Sequence, residues 1–204
     1  YSQLLVRERQ SLHGQLVRAI EQTHGDSIEF QLEILSYHAY EAGLWQKTAD
    51  YAQRAGEKAL GLFAPQAAIE HFSRAIEAAR QLSQEKDASL HRRRGQAFDT
   101  LGRFGEARAD YELALQVSQA AGDRLAVWQV LLDLGLLWAA KDYERTGDYS
   151  RQALELARAI EDGAAVGHSL NRMGNWLMNS GKPFEALEYH REALDLFEEL
   201  HDHA

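Results

Sequence analysis

One helical pattern returns along this chain at a fixed interval. It reads Ala68-x3-Phe72-x2-Ala75, Ala107-x3-Tyr111-x2-Ala114 and Ala186-x3-His190-x2-Ala193, and a degenerate copy, Thr146-x3-Ser150-x2-Ala153, fills the gap. The closing alanines Ala75, Ala114, Ala153 and Ala193 are 39, 39 and 40 residues apart. Gly95, Gly135 and Gly174 keep the same interval, as do Asp123, Asp162 and Asp202. A fixed period of this size means a repeat solenoid, in which each unit buries its apolar face only against its neighbours. Such a chain is expected to be a binding surface rather than a catalyst.

Helical spacing of apolar residues predicts ten helices and no strands. The first runs from about Gln3 to Thr23, with Leu4, Leu5, Leu12, Leu16, Val17 and Ile20 at helical spacing. Gly25-Asp26 breaks the chain, and a second helix runs to Ala42. A third spans Trp45 to about Leu62 and stops before Pro65, which suits the first turn of the fourth. Three hairpins follow: 86–101 with 104–121, 124–140 with 143–160, and 163–179 with 183–200. Asp123 and Asp162 stand where N-caps are needed. Gly95 with Ala107, and Gly174 with Ala186, are the small residues that let paired helices approach. The fold expected is all-α: a right-handed superhelix of antiparallel helical hairpins. A helical segment over 1–64 precedes regular repeats over 65–204.

Composition narrows the function. The net charge is −9, which argues against nucleic acid, since phosphate affinity comes from clustered Lys and Arg. The chain has no cysteine, hence no disulfide, thiolate metal site or cysteine nucleophile. No apolar run approaches the ~20 residues that span a bilayer. Nine histidines form no H-E-x-x-H or comparable ligand set, and the nearest pair is His201-x-His203. Neither metal nor cofactor is expected. Carboxylate pairs such as Glu185 with Glu188, and Glu198 with Glu199, read as solvated faces, because acid–base chemistry needs a pocket. No nucleophile motif stands out, so no enzyme activity is expected.

The hairpin Gly95-x2-Phe98 … Ala107-x3-Tyr111-x2-Ala114 resembles the tetratricopeptide signature W-x2-L-G-x2-Y…A-x3-F. Leu131-x2-Leu134-Gly135-x2-Trp138 and Leu170-x2-Met173-Gly174 resemble it too. The period exceeds the usual ~34 residues, which suggests longer helices. His91 and Arg94 stand at positions the family makes apolar, Thr146 replaces an alanine, and the turn near Lys141 is one residue short. The segments Arg7–Glu21, Tyr37–Leu60 and Gln66–Ala79 resemble the stretch that follows the ATPase and winged-helix modules of bacterial signal-transduction ATPases. Those include regulators like the maltose-regulon activator and ATPase-fused class III nucleotide cyclases. No G-x4-G-K-[ST] phosphate loop is present.

The resemblance to tetratricopeptide hairpins implies that Arg92, Gln96 and Asp99 line a concave inner face, with Arg93 at its rim and Asp133 at the matching position of the next repeat. Consecutive helical residues diverge by about 100°, so Arg92-Arg93-Arg94 is not a flat basic patch. Asn171, Asn175 and Asn179, at i, i+4 and i+8, share one helix face, with His168 and Arg172 alongside. Tetratricopeptide proteins that hold extended peptides use concave asparagines in this way, because an amide donates and accepts at once. The alternative is a polar solvent-facing stripe.

The expected function is therefore a non-catalytic interaction and regulatory module of a larger, cytoplasmic bacterial signalling or transcription-regulating protein. It would bind a peptide, a partner or a segment of its own chain. The alternative is a structural spacer or oligomerisation scaffold with no groove ligand. Trp45 should pack against neighbouring helices rather than face the groove. Asp202 follows Ala193 as Asp123 and Asp162 follow their alanines, which announces a further repeat. On this reading the array is cut, the last hairpin exposes an apolar patch, and the chain self-associates through it.

Overall fold

The computed structural model describes residues 2–83 and 87–202, with side chains for 5–25, 27–83 and 87–200. Among them are ten α-helices, one 3-10 helix and no strand, so the chain is all-α as expected. They form two compact units, residues 1–110 and 111–204. The His201–His203 pair and the cap expected of Asp202 lie outside the described side chains.

The first unit holds α1 (Ser2–His24), the 3-10 turn Gly25–Phe30, α2 (Leu32–Glu41), α3 (Trp45–Gly61), α4 (Pro65–Gln81), α5 (Ala88–Thr100) and the start of α6 (Phe104–Ala121). The second helix begins later than its sequence suggests, because Ser27 leaves helical geometry at φ −111°, ψ 18°. Its core joins Val17 of α1 to Leu32, Leu35 and Ala39 of α2 and to Tyr51 and Ala55 of α3. The apolar stripe of α1 is only partly used: Val17 is buried, whereas Leu5, Leu12 and Leu16 are exposed. Trp45 is half-buried, its ring edge-on to Tyr40 at 5.8 Å. It packs against α2, but less completely than a core indole.

Alanines set the α3–α4 contact. Ala52, Ala55, Ala59, Ala68, Ala75 and Ala78 are all buried, and between them Gly56 faces the Phe72 ring. A Cβ on Gly56 would lie 2.8 Å from that ring, closer than packed atoms tolerate. Pro65 takes the first turn of α4. His91 and Arg94, the two departures from an apolar pattern, prove to be partners. Arg94 donates to both carboxylate oxygens of Asp110, from Nε at 2.7 Å and Nη2 at 2.8 Å, and His91 Nδ1 lies 3.3 Å from the same group.

The second unit holds the rest of α6, α7 (Arg124–Trp138), α8 (Tyr143–Ile160), α9 (Gly163–Asn179) and α10 (Pro183–Asp202). Asp123 and Asp162 are N-caps as expected, accepting from the amides of Ala126 at 3.0 Å and Ala165 at 3.1 Å. Trp128 of α7 reaches across to α9, its indole donating to Ser169 Oγ at 2.8 Å. Leu154, Leu170, Met173 and Ala193 close the core between α8, α9 and α10.

Three mid-helix glycines here each face a ring of another helix. Gly147 faces the Trp176 indole, Gly167 the Phe197 ring and Gly174 the His190 imidazole. Ala186, the other small residue expected at this helix pair, is buried, and the His190 imidazole occupies the space a side chain at 174 would need. The short turn near Lys141 also has a structural form. The α9–α10 turn has Gly181 at φ +77°, while no residue between α7 and α8 takes positive φ. There the amides of Lys141 and Asp142 both reach the Trp138 carbonyl at 2.8 Å, and Asp142 caps α8 by accepting from Arg145 N.

Candidate functional site

In the second unit α7, α8 and α9 enclose a cavity of about 310 Å³. Leu132, Leu136 and Ala139 of α7 and Trp176 of α9 supply apolar walls, and Gly135, Thr146 and Ser150 lie where α7 and α8 meet. The two hydroxyls are already engaged, Thr146 Oγ1 donating to Asp142 O at 3.1 Å and Ser150 Oγ to Thr146 O at 2.8 Å. They bring little free polarity to the cavity.

Trp176 is held on two sides. Its Nε1 donates to the Tyr143 carbonyl at 2.8 Å, and the Tyr143 hydroxyl donates to the Trp176 carbonyl at 3.2 Å. The indole also lies against the bare backbone of Gly147. The wall it forms is therefore fixed before any ligand arrives.

The polar lining comes from α9: Arg172, Asn175 and Asn179. These are three of the residues expected to contact a ligand, and the structure brings them to one opening. Asn171 is exposed on the same helix, one turn before Asn175, and does not line the cavity. His168 is exposed, with its ring at 5.3 Å from that of Phe197. Asp133 is half-buried on α7 and is likewise outside the lining.

The remaining expected residues lie on α5 of the first unit. Arg92 and Gln96 are half-buried and Asp99 is exposed, on one helix face by their spacing. Arg93 turns to α3, its Nε 3.2 Å from Glu57 Oε1, and its Nη1 donates to Gln96 at 3.3 Å.

Trp176, Tyr143, Leu132 and Leu136 were not singled out from sequence. One signal was present: Gly147 interrupts α8, where glycine costs about 1 kcal/mol relative to alanine, and such a glycine marks a close approach. Among the described residues no group of three or more His, Asp or Glu is placed to hold a metal.

Tetratricopeptide-repeat family models match residues 89–120 and 166–204. No curated protein matches the chain. Among solved structures it is similar to BtubC (BKLC) from P. vanneervenii, with TM-score 0.67 and 15% identity over 96% of this chain and 92% of that one. The TPR-like repeats of a putative kinesin light chain from Podosopora anserina superpose with TM-score 0.65 and 11% identity, over 96% and 97% of the two chains. A Rap protein complexed with competence and sporulation factor gives TM-score 0.65 and 14% identity, over 95% of this chain and 66% of that one. The chain contains tetratricopeptide repeats, and its all-helical fold is of the tetratricopeptide-like class.

Proposed function

We propose that this chain is a non-catalytic protein-interaction module that holds an extended peptide, or a segment of its own parent protein, at the α7–α8–α9 cavity. One observation carries the reading. Arg172, Asn175 and Asn179 converge on an opening whose walls are apolar and whose indole is locked in place. Side-chain amides can pair with both the N–H and the C=O of a passing backbone. Each such bond nets about 1 kcal/mol, so affinity also requires burial in the apolar cavity. That a tetratricopeptide-like Rap neighbour is complexed with competence and sporulation factor supports the same use of the fold. Asn171, His168 and Asp133 extend the polar surface around the opening in this proposal. Arg92, Arg93, Gln96 and Asp99 form a separate contact surface on α5. The test is a peptide-pool binding measurement with Asn175→Ala and Asn179→Ala: binding should weaken at least fivefold while the melting temperature stays within about a degree.

We place the module in a cytoplasmic bacterial signalling regulator, following the resemblance of Arg7–Glu21, Tyr37–Leu60 and Gln66–Ala79 to signal-transduction ATPases. Occupancy of the cavity would bias the parent's ATPase or output state. Among the described residues no helix is long and apolar enough to cross a membrane. A phosphate loop encoded next to this segment would support that parentage, and an unrelated neighbouring domain would overturn it.

A second reading, self-association, has its own observation. Phe184, Leu187 and Leu194 of α10 are 86%, 44% and 56% exposed. Concentration-dependent light scattering should show a dimer that Leu194→Glu abolishes; a monomer at high concentration removes this reading.

A further inference from the structure

Resting on the peptide-binding reading above, we infer that the α7–α8–α9 cavity is a specificity pocket for one large apolar side chain of the bound segment, with Gly135 setting the size accepted. The volume, about 310 Å³, is at the lower end of ligand pockets. It suits one side chain with its flanking peptide units rather than a nucleotide or prosthetic group.

The spacing of the rim favours an extended chain. Asn175 and Asn179 are four residues apart, about 6 Å along the helix axis. An extended peptide presents like-oriented backbone groups every two residues, about 6.7 Å. A strand running along α9 can therefore meet both amides and aim a side chain between the apolar walls. Those walls are Leu132, Leu136 and the Trp176 indole, which needs no reordering on binding, so little conformational entropy is lost there.

Charge selects the neighbour. Arg172 is the one charged residue among those lining the cavity. A Lys or Arg in the pocket is disfavoured, and an Asp or Glu beside the apolar residue is favoured.

Gly135 controls depth. A Cβ there would be 3.5 Å from Tyr149 Cβ and 3.7 Å from Ser150 Oγ, ordinary contact distances, so alanine fits without displacing its neighbours. It would occupy the floor of the cavity and leave the helices in place. Leu132→Ala acts in the opposite sense, by deepening a wall.

The experiment is a random-heptapeptide display selection on the full chain, each variant first checked for helicity and melting temperature. The wild-type chain should enrich Leu, Met or Phe at one position, with Asp or Glu adjacent. Gly135→Ala should lower affinity for the Phe-containing peptides at least tenfold and shift enrichment to Val or Ala. Leu132→Ala should shift it toward Phe and Trp. Peptides that enrich without an apolar position, or with one profile in all three chains, overturn the pocket while the peptide-binding reading stands. No enrichment over the Asn175→Ala/Asn179→Ala chain overturns both.

Discussion

Trp176 and Tyr143 each donate a side-chain hydrogen bond to the other's backbone carbonyl, at 2.8 Å from the indole and 3.2 Å from the phenol. This reciprocal pair staples the start of α8 to the last turns of α9. Trp176→Phe keeps the ring over Gly147 but loses one bond, as does Tyr143→Phe. Each should cost about 1 kcal/mol, read as a lowered urea midpoint with an unchanged slope. No loss in either variant would mean the pair does not hold α8 to α9.

Two glycine substitutions should have opposite signs. Gly135→Ala makes only ordinary van der Waals contacts and gains helix propensity, so it should stabilise by about 0.5–1 kcal/mol. Gly147→Ala drives a Cβ into the Trp176 indole, and overpacking of this kind costs about 1–3 kcal/mol. Thermal unfolding of the two variants checks both at once.

The Asp110 carboxylate is buried, and that burial alone would raise its pKa. The hydrogen bonds from Arg94 and then His91 outweigh it and hold the carboxyl below its usual range. A lowered carboxyl stabilises the fold above the ordinary carboxylate pKa of about 4. That contribution is lost as the pH falls through the lowered value. Asp110→Ala leaves the Arg94 guanidinium without a counter-charge, with only Ser73 Oγ still accepting from its Nη1 at 3.1 Å, and should cost about 3 kcal/mol. Arg94→Met with Asp110→Leu restores the apolar pattern usual at such positions and should recover most of that loss. Urea denaturation of the single and double variants, with an acid titration of the wild-type chain, tests both statements.

His38 and His71 should make the chain acid-sensitive. His38 Nδ1 lies 2.7 Å from His13 Nδ1, and burial followed by His13 lowers its pKa, with Glu41 opposing. His71 is lowered by burial and then Arg74, with Glu33 and Glu70 opposing. Both folded-state values fall below the unfolded value of about 6.5. The unfolded chain therefore takes up protons first, and stability falls as the pH drops below that point, levelling off beneath the folded values. The melting temperature should decline from pH 7 to 5, and His38→Gln should flatten the slope. An unchanged slope in His38→Gln would show that the pair contributes nothing.

The period of 39–40 residues, the helix boundaries other than the start of α2, the caps at Asp123 and Asp162 and the place of Pro65 were all legible in the chain. Each depends on contacts within a few residues or on a repeated local pattern. The asparagine row was legible as one face of α9 for the same reason. Tertiary structure alone decided that Asn175 and Asn179 reach the cavity while Asn171 does not. It also paired Arg94 with Asp110, set Gly147 beneath Trp176 and put the His190 imidazole over Gly174. Those outcomes depend on the axial register between helices far apart in sequence. Many registers satisfy the same apolar periodicity, and only close packing of side chains against neighbouring backbones selects one.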